Sequence, residues 1–164
     1  MKKEYYSWSN ISGACLDLAR QLSKDNFRPD YIVGLTRGGL VPAVLLSQYL
    51  SVPMETLKIS LRDGGETETN CWMSEDAFAG KNILLVDDIN DSGATLNWLK
   101  QDWQQSCFPN NEKWESVWHN NVRFAVVTNN LASLAEVDYS VHEVNKAEED
   151  VWLVYPWENF WNVN

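Results

Sequence analysis

Positive charge is scarce. Thirteen Lys and Arg stand against 23 Asp and Glu in 164 residues, a formal charge of -10. Binding along a nucleic-acid backbone needs clustered cations to neutralise phosphates, so this balance argues against a nucleic-acid partner and favours solubility and Mg2+. Cysteine is sparse as well. Cys15, Cys71 and Cys107 are odd in number, far apart, and match neither C-x-x-C nor a zinc spacing, which reads as reduced thiols in a cytoplasmic protein. The two histidines, His119 and His142, have no ligand spacing and receive no role. No eighteen apolar residues follow one another, and Met1-Lys2-Lys3 leads into Glu4-Tyr5-Tyr6-Ser7, so neither a membrane span nor a signal peptide is expected. The length predicts a single domain over 1–164 with a core that needs no staples.

Tryptophan, by contrast, is abundant, with nine copies. Trp98, Trp103, Trp114 and Trp118 read as core or subunit contacts. The most informative stretch is Ile83 to Leu96, I-L-L-V-D-D-I-N-D-S-G-A-T-L. Four apolar residues predict a short buried strand that Asp87 and Asp88 bring to a stop. Asp91, Ser92, Gly93, Ala94 and Thr95 then have little side chain to block the main chain. Their N–H groups can curl around an anion, beside the positive end of a helix predicted to start near Thr95. Carboxylates before a phosphate nest suit a sugar phosphate, although an Asp in such a turn can also simply cap the next helix.

A second such stretch precedes it. A helix is predicted from Ser9 onward, capped by Ser9 or Asn10, with Ile11, Ala14, Cys15, Leu18, Ala19 and Leu22 inward. Tyr31 to Leu35 reads as a strand and runs into Thr36-Arg37-Gly38-Gly39-Leu40-Val41-Pro42. The glycines let main chain approach a ligand, Arg37 offers a planar fork of donors to phosphate oxygens, and Pro42 suits a first helical turn. A tight strand-to-helix turn would use the same glycines. The helix Val41 to Leu50 is apolar on most faces and is expected to be buried, and Met54 to Leu61 reads as a strand. Arg62 to Gly80 has no apolar period and reads as a surface loop, a disordered excursion or a lid that keeps water from a reactive cation. Leu96, Leu99 and Trp103 mark a helix, and Ser106 to Asn121 is left unassigned. Val122 to Thr128, Asp138 to Val144 and Val151 to Tyr155 read as strands. This alternation predicts an α/β fold with a parallel sheet covered on both faces and ligands at the carboxyl ends of its strands.

Strand, two acids, two spacers, acid, Ser, Gly, any residue, Thr resembles the phosphoribosyl pyrophosphate (PRPP) signature of type I phosphoribosyltransferases. T-R-G-G-L-V-P resembles the family's pyrophosphate loop, and W-L-V-Y-P-W-E its closing purine-side segment. The chain is most similar to the small bacterial xanthine-guanine and hypoxanthine enzymes. The resemblance implies a type I phosphoribosyltransferase fold, a mostly parallel central sheet flanked by helices with a small C-terminal hood. It also implies a Mg2+-dependent transfer from PRPP to a purine base in salvage, by a cytoplasmic homodimer or homotetramer. By position, Arg37 with the main chain of Gly38 and Gly39 would hold pyrophosphate, behind a strained, often cis, peptide bond entering Arg37. Asp87 and Asp88 would face the ribose hydroxyls, and Ser92, Gly93, Ala94 and Thr95 would bind the 5-phosphate. Asp91 would be the acid/base group beside N7 of the purine. Asp88 and Glu158 would order Mg2+, Trp152 would stack on the base unless it is plain core, and main chain at Leu153 would read the base edge. The family usually places a Lys after the strand ending at Thr128. Here Asn129 or Asn130 takes that place, and Asn129 is the base-binding candidate. An amide both donates and accepts, so discrimination between 6-oxo and 6-amino purines is weakened in principle. Lys146 could reach in from another loop, but the sequence does not place it there. A transferase for another nitrogenous base, or a non-catalytic PRPP sensor, are the alternatives. The sensor is disfavoured by the charge and the lack of an extension.

Overall fold

A computed structural model describes residues 1–59, 61 and 67–162. In chain order the elements are β1 (Lys2–Tyr5), α1 (Trp8–Lys24), β2 (Tyr31–Thr36), α2 (Leu40–Leu50) and β3 (Met54–Lys58). These are followed by α3 (Cys71–Phe78), β4 (Ile83–Asn90), α4 (Ala94–Ser106) and β5 (Val122–Asn130), then β6 (Tyr139–Val144), β7 (Val151–Val154) and α5 (Pro156–Asn159). Five strands form one sheet in the order β3-β2-β4-β5-β6, every neighbouring pair parallel. The two loops singled out above therefore leave adjacent strands, β2 and β4, at the same edge of the sheet. Among the described residues no helix is long and apolar enough to cross a membrane.

The inner strands β2, β4 and β5 are buried on both faces, as those of parallel sheets are. Side chains alternate along a strand, so β4 sends Leu84 and Val86 to one core and Ile83 and Leu85 to the other. The first core holds Ile11 and Leu18 of α1 and Leu46 of α2. The second holds Met73 of α3 with Leu99 and Trp103 of α4. Trp103 and Trp114 are buried in the second core, and Trp98 and Trp118 are partly buried and pack against that core, so all four belong to it. The three thiols are free, with Cys15 and Cys107 buried and Cys71 exposed. His119 pairs with Asp138 at 3.0 Å and His142 stacks on Tyr6, both structural contacts.

Several boundaries differ from the sequence expectations. Helix α1 starts earlier, because Ser7 caps it and Asn10 returns the favour: Ser7 Oγ accepts the Asn10 N–H at 3.0 Å and Asn10 Oδ1 accepts the Ser7 N–H at 2.9 Å. Helix α2 is not buried all round. Pro42, Ala43 and Leu46 face inward, while Leu40, Val44 and Tyr49 are exposed. The strand expected to reach Leu61 ends at Lys58. The polar stretch from 62 to 80 contains α3, whose N-terminus is capped by Asn70 Oδ1 on the Met73 N–H at 2.9 Å. Residues 62–66 of the lid expectation lie outside the described residues. A 3-10 turn, Glu112–Ser116, occupies the unassigned stretch.

The hood is built from both ends of the chain. β1 pairs in parallel with β7, Lys3 opposite Trp152 and Tyr5 opposite Val154. Nothing in the short polar β1 sequence announces a strand, since its pattern follows from its partner and not from its own periodicity.

Candidate active site

At the carboxyl ends of β2 and β4 lies a cavity of about 580 Å3, within the range of small-ligand sites. Its floor is the loop after β2, with Thr36, Arg37 and Gly38. One wall is the run from Asp87 to Leu96, and Glu158, Trp157 and Trp161 lean in from the hood. The peptide bond between Thr36 and Arg37 is cis.

The two glycines of the first loop answer to β4. A Cβ on Gly38 would collide with the carboxylate of Asp88, and one on Gly39 would meet the carbonyl oxygens of Val86 and Leu35. Close approach is thus required by packing against the neighbouring strand, where the sequence suggested approach to a ligand. Gly38 lines the cavity and Gly39 does not. Gly39 serves as N-cap of α2 without a side-chain cap, and its own N–H donates to the Leu35 carbonyl at 2.8 Å.

On the β4 side, Ser92, Gly93, Ala94 and Thr95 curve into α4 and all line the cavity. Gly93 is the N-cap, at a φ of 91°, and contributes no side-chain cap. The first-turn amides of a thirteen-residue helix therefore face the cavity with the positive end of its dipole. Ser92 Oγ accepts the Ala94 N–H at 3.2 Å, which folds the hydroxyl into the turn.

Four carboxyl groups, those of Asp87, Asp88, Asp91 and Glu158, line the cavity. Asp87 Oδ1 accepts the Asp88 N–H and Asp88 Oδ1 accepts the Ile89 N–H, each at 2.8 Å, fixing both side chains at the strand end. Glu158 Oε2 accepts the Tyr155 N–H at 3.0 Å. Among the described residues no group of three or more His, Cys, Asp or Glu could by itself hold a metal ion. Hard oxygen donors without a complete protein cage fit Mg2+, which keeps its waters and is commonly bound by one or two carboxylates together with substrate phosphates.

Beside this cavity opens a shallow cleft that shares Asp88, Ile89, Asp91 and Glu158 with it and adds Lys146, Trp152, Leu153 and Tyr155. Trp152 is 43% exposed, so it is not plain core, while Leu153 is buried. Asn129 lies in neither space. Its Oδ1 accepts from Asn90 Nδ2 at 2.9 Å, so the expectation that it binds a base gives way to a cross-strand tie within the sheet. Its neighbour Asn130 is buried and turns toward the cleft's walls, with Nδ2 donating to the Asp91 carbonyl at 2.9 Å.

Two residues are prominent, Lys146 outside every motif and Tyr155 inside the closing segment W-L-V-Y-P-W-E but without a role assigned from sequence. Lys146, in the loop after β6, brings Nζ to 3.1 Å from Asp91 Oδ1 and to 5.8 Å from the Trp152 ring centroid. Tyr155 is buried, with its hydroxyl 3.2 Å from the Asp88 carbonyl and 3.1 Å from Thr128 Oγ1. Burial, reinforced by the Asp88 charge, raises its pKa well above the ordinary phenol value, so it stays neutral and pins the hood to β4 and β5. Its place inside the closing segment W-L-V-Y-P-W-E was the hint the sequence held.

The family model described as "Phosphoribosyl transferase domain" matches residues 1–158. Xanthine-guanine phosphoribosyltransferase of Desulfotalea psychrophila is 30% identical, over 93% of this chain and 84% of its own length. Hypoxanthine-guanine phosphoribosyltransferase of Schizosaccharomyces pombe is 26% identical, over 94% of this chain and 88% of its own. The crystal structure of a purine phosphoribosyltransferase from Pyrococcus horikoshii superposes with a TM-score of 0.69 and 25% identity, covering 100% of this chain and 99% of that one.

Proposed function

Because the chain belongs to the phosphoribosyl transferase family, we propose that it moves the phosphoribosyl group of PRPP onto a 6-oxopurine, giving the nucleoside 5'-monophosphate and pyrophosphate. The observation that carries the reading is that one cavity is bounded by two strand ends whose loops are suited to anions, one at Arg37 and Gly38 and the other at Ser92 to Thr95. Acids lie between them, and an exposed tryptophan lies beside Asp91 in the adjoining cleft.

In this reading Arg37 and the Gly38 main chain hold pyrophosphate, and the α4 N-terminus holds the 5-phosphate. Asp87 and Asp88 accept hydrogen bonds from the ribose hydroxyls. Trp152 stacks on the base while main chain at Leu153 reads its edge. The bond from ribose C1 to the pyrophosphate oxygen breaks and its electron pair leaves with pyrophosphate. The lone pair on purine N9 forms the new bond to C1, and the proton on N7 passes to the Asp91 carboxylate. Held donors and charges placed where the leaving group develops its charge lower the barrier. Asp88 and Glu158 are the residues that would hold Mg2+, whose chemistry is to neutralise pyrophosphate oxygens. The cytoplasm is the setting of such salvage chemistry. A homodimer or homotetramer belongs to the same reading, supported by the exposed apolar side chains Leu40, Val44 and Tyr49 on α2 and testable by sedimentation.

The test is pyrophosphate release from PRPP and Mg2+ with a panel of purines and pyrimidines. Turnover with hypoxanthine, guanine or xanthine is the expected result. PRPP binding without turnover on any base would turn the molecule into a sensor of PRPP.

A further inference from the structure

We propose that Lys146, carried in by the loop between β6 and β7, is the residue that reads the keto oxygen of the base, and that Asn130 is the hook that sets it there. This rests on the purine transferase reading above and assigns the base selectivity of that same site.

The geometry makes one assembly of three elements. Asn130, buried at the end of β5, donates through Nδ2 to the Asp91 carbonyl at 2.9 Å, while its Oδ1 accepts the main-chain N–H of Lys146 at 3.0 Å. One amide thus fixes the loop that carries the acid and the loop that carries the cation. At the far end of the lysine, Nζ lies 3.1 Å from Asp91 Oδ1, with both side chains only about one-fifth exposed, at 21% and 22%. The same Nζ is 5.8 Å from the centroid of the Trp152 ring, the surface against which a planar base would stack. Acid, cation and aromatic face all line one cleft.

A carboxylate beside an ammonium has a defined complement. The carboxylate only accepts hydrogen bonds and the ammonium only donates. A ring edge with N–H next to C=O, the N7 and O6 side of a 6-oxopurine, lies across the pair with its N–H on the carboxylate and its C=O on the ammonium, and satisfies both. A 6-aminopurine sets an amino donor against the ammonium donor, so the hydrogen bond to the base is lost, and sites that rely on such a bond reject analogues strongly. Asn130, which by sequence position had looked like a weak substitute for a lysine, acts through Lys146 as a positioning residue.

The experiment compares kcat/KM for hypoxanthine, guanine and adenine at saturating PRPP and Mg2+, with PRPP affinity measured separately by calorimetry. Lys146→Met lowers kcat/KM for hypoxanthine by about 10- to 100-fold, leaves adenine no worse, and keeps PRPP affinity within about twofold. Lys146→Arg, which retains donors, keeps the preference. Asn130→Ala moves the hypoxanthine-to-adenine ratio in the same direction, chiefly through KM, and Asn130→Asp, which keeps the acceptor for the Lys146 N–H, restores part of it. An unchanged ratio in Lys146→Met, with the wild type active on hypoxanthine, overturns the assignment while leaving the transferase intact. A wild type inactive on every 6-oxopurine removes both.

Discussion

Asp91 is gripped from both ends, its carbonyl by Asn130 and its carboxylate by Lys146. A side chain held in this way loses little entropy when a base arrives, which suits a group that takes up a proton during reaction. Replacing Asp91 with Asn keeps its shape and removes the basic oxygen. Turnover is expected to fall about 100-fold or more while PRPP still binds, read by steady-state kinetics beside calorimetry. Undiminished kcat would remove Asp91 from the proton transfer. At this scale the acids were legible from their order alone. Asn129 was not, because two adjacent asparagines on a strand face opposite ways, and only their partners tell which one ties to the cleft-lining Asp91 and Lys146.

Helix α4 depends on one backbone conformation. Gly93 sits at a φ of 91°, and a Cβ there would come within 2.6 Å of the Ala135 main-chain nitrogen. Gly93→Ala is expected to cost roughly 1–3 kcal/mol in urea denaturation, because a positive φ and a backbone clash act together. It should also weaken PRPP binding by moving the first-turn amides, and a variant with wild-type stability and affinity would show that the turn tolerates a side chain. The start of α4 was readable because small residues after a strand have a mechanism. The segment from Cys107 to Asn121 was not. It is ordered by contacts that have no period, with the Trp114 indole donating to the Cys107 and Phe108 carbonyls at 3.1 and 3.2 Å, and Trp114 stacked on Trp118.

Across the whole molecule, the core on one face of the sheet, which holds both Cys15 and Tyr139, makes stability sensitive to alkali. Cys15 of α1 lies 3.9 Å from the Pro42 carbonyl of α2, and burial pushes its thiol from 9.0 up to about 11. Tyr139 of β6, tied to Asp25 and Arg123 at 2.8 Å each, is raised to about 12, mainly by burial. Both groups bind their protons more tightly folded than unfolded. Their contribution is complete below the unfolded pKa and is lost as pH rises through the folded one. The melting temperature is therefore expected to fall as pH climbs from about 9 toward 12, and Cys15→Ala to flatten the portion up to about 11. Parallel slopes for the two proteins would exclude the thiol.

What the sequence determined by itself is whatever depends on neighbours along the chain. The apolar runs of β2, β4 and β5, the small-residue turns after the first two, and the order of acids at Asp87, Asp88 and Asp91 carry their own physical meaning. Tertiary structure decided whatever needs residues distant in sequence. β1 is a strand because β7 lies beside it, Gly38 and Gly39 are glycines because β4 passes under them, and Lys146 reaches Asp91 because Asn130 holds its loop. Hydrogen bonds and close contacts between separate elements leave no periodic trace in a chain, so the side of the site that would select the base became visible only in the folded molecule.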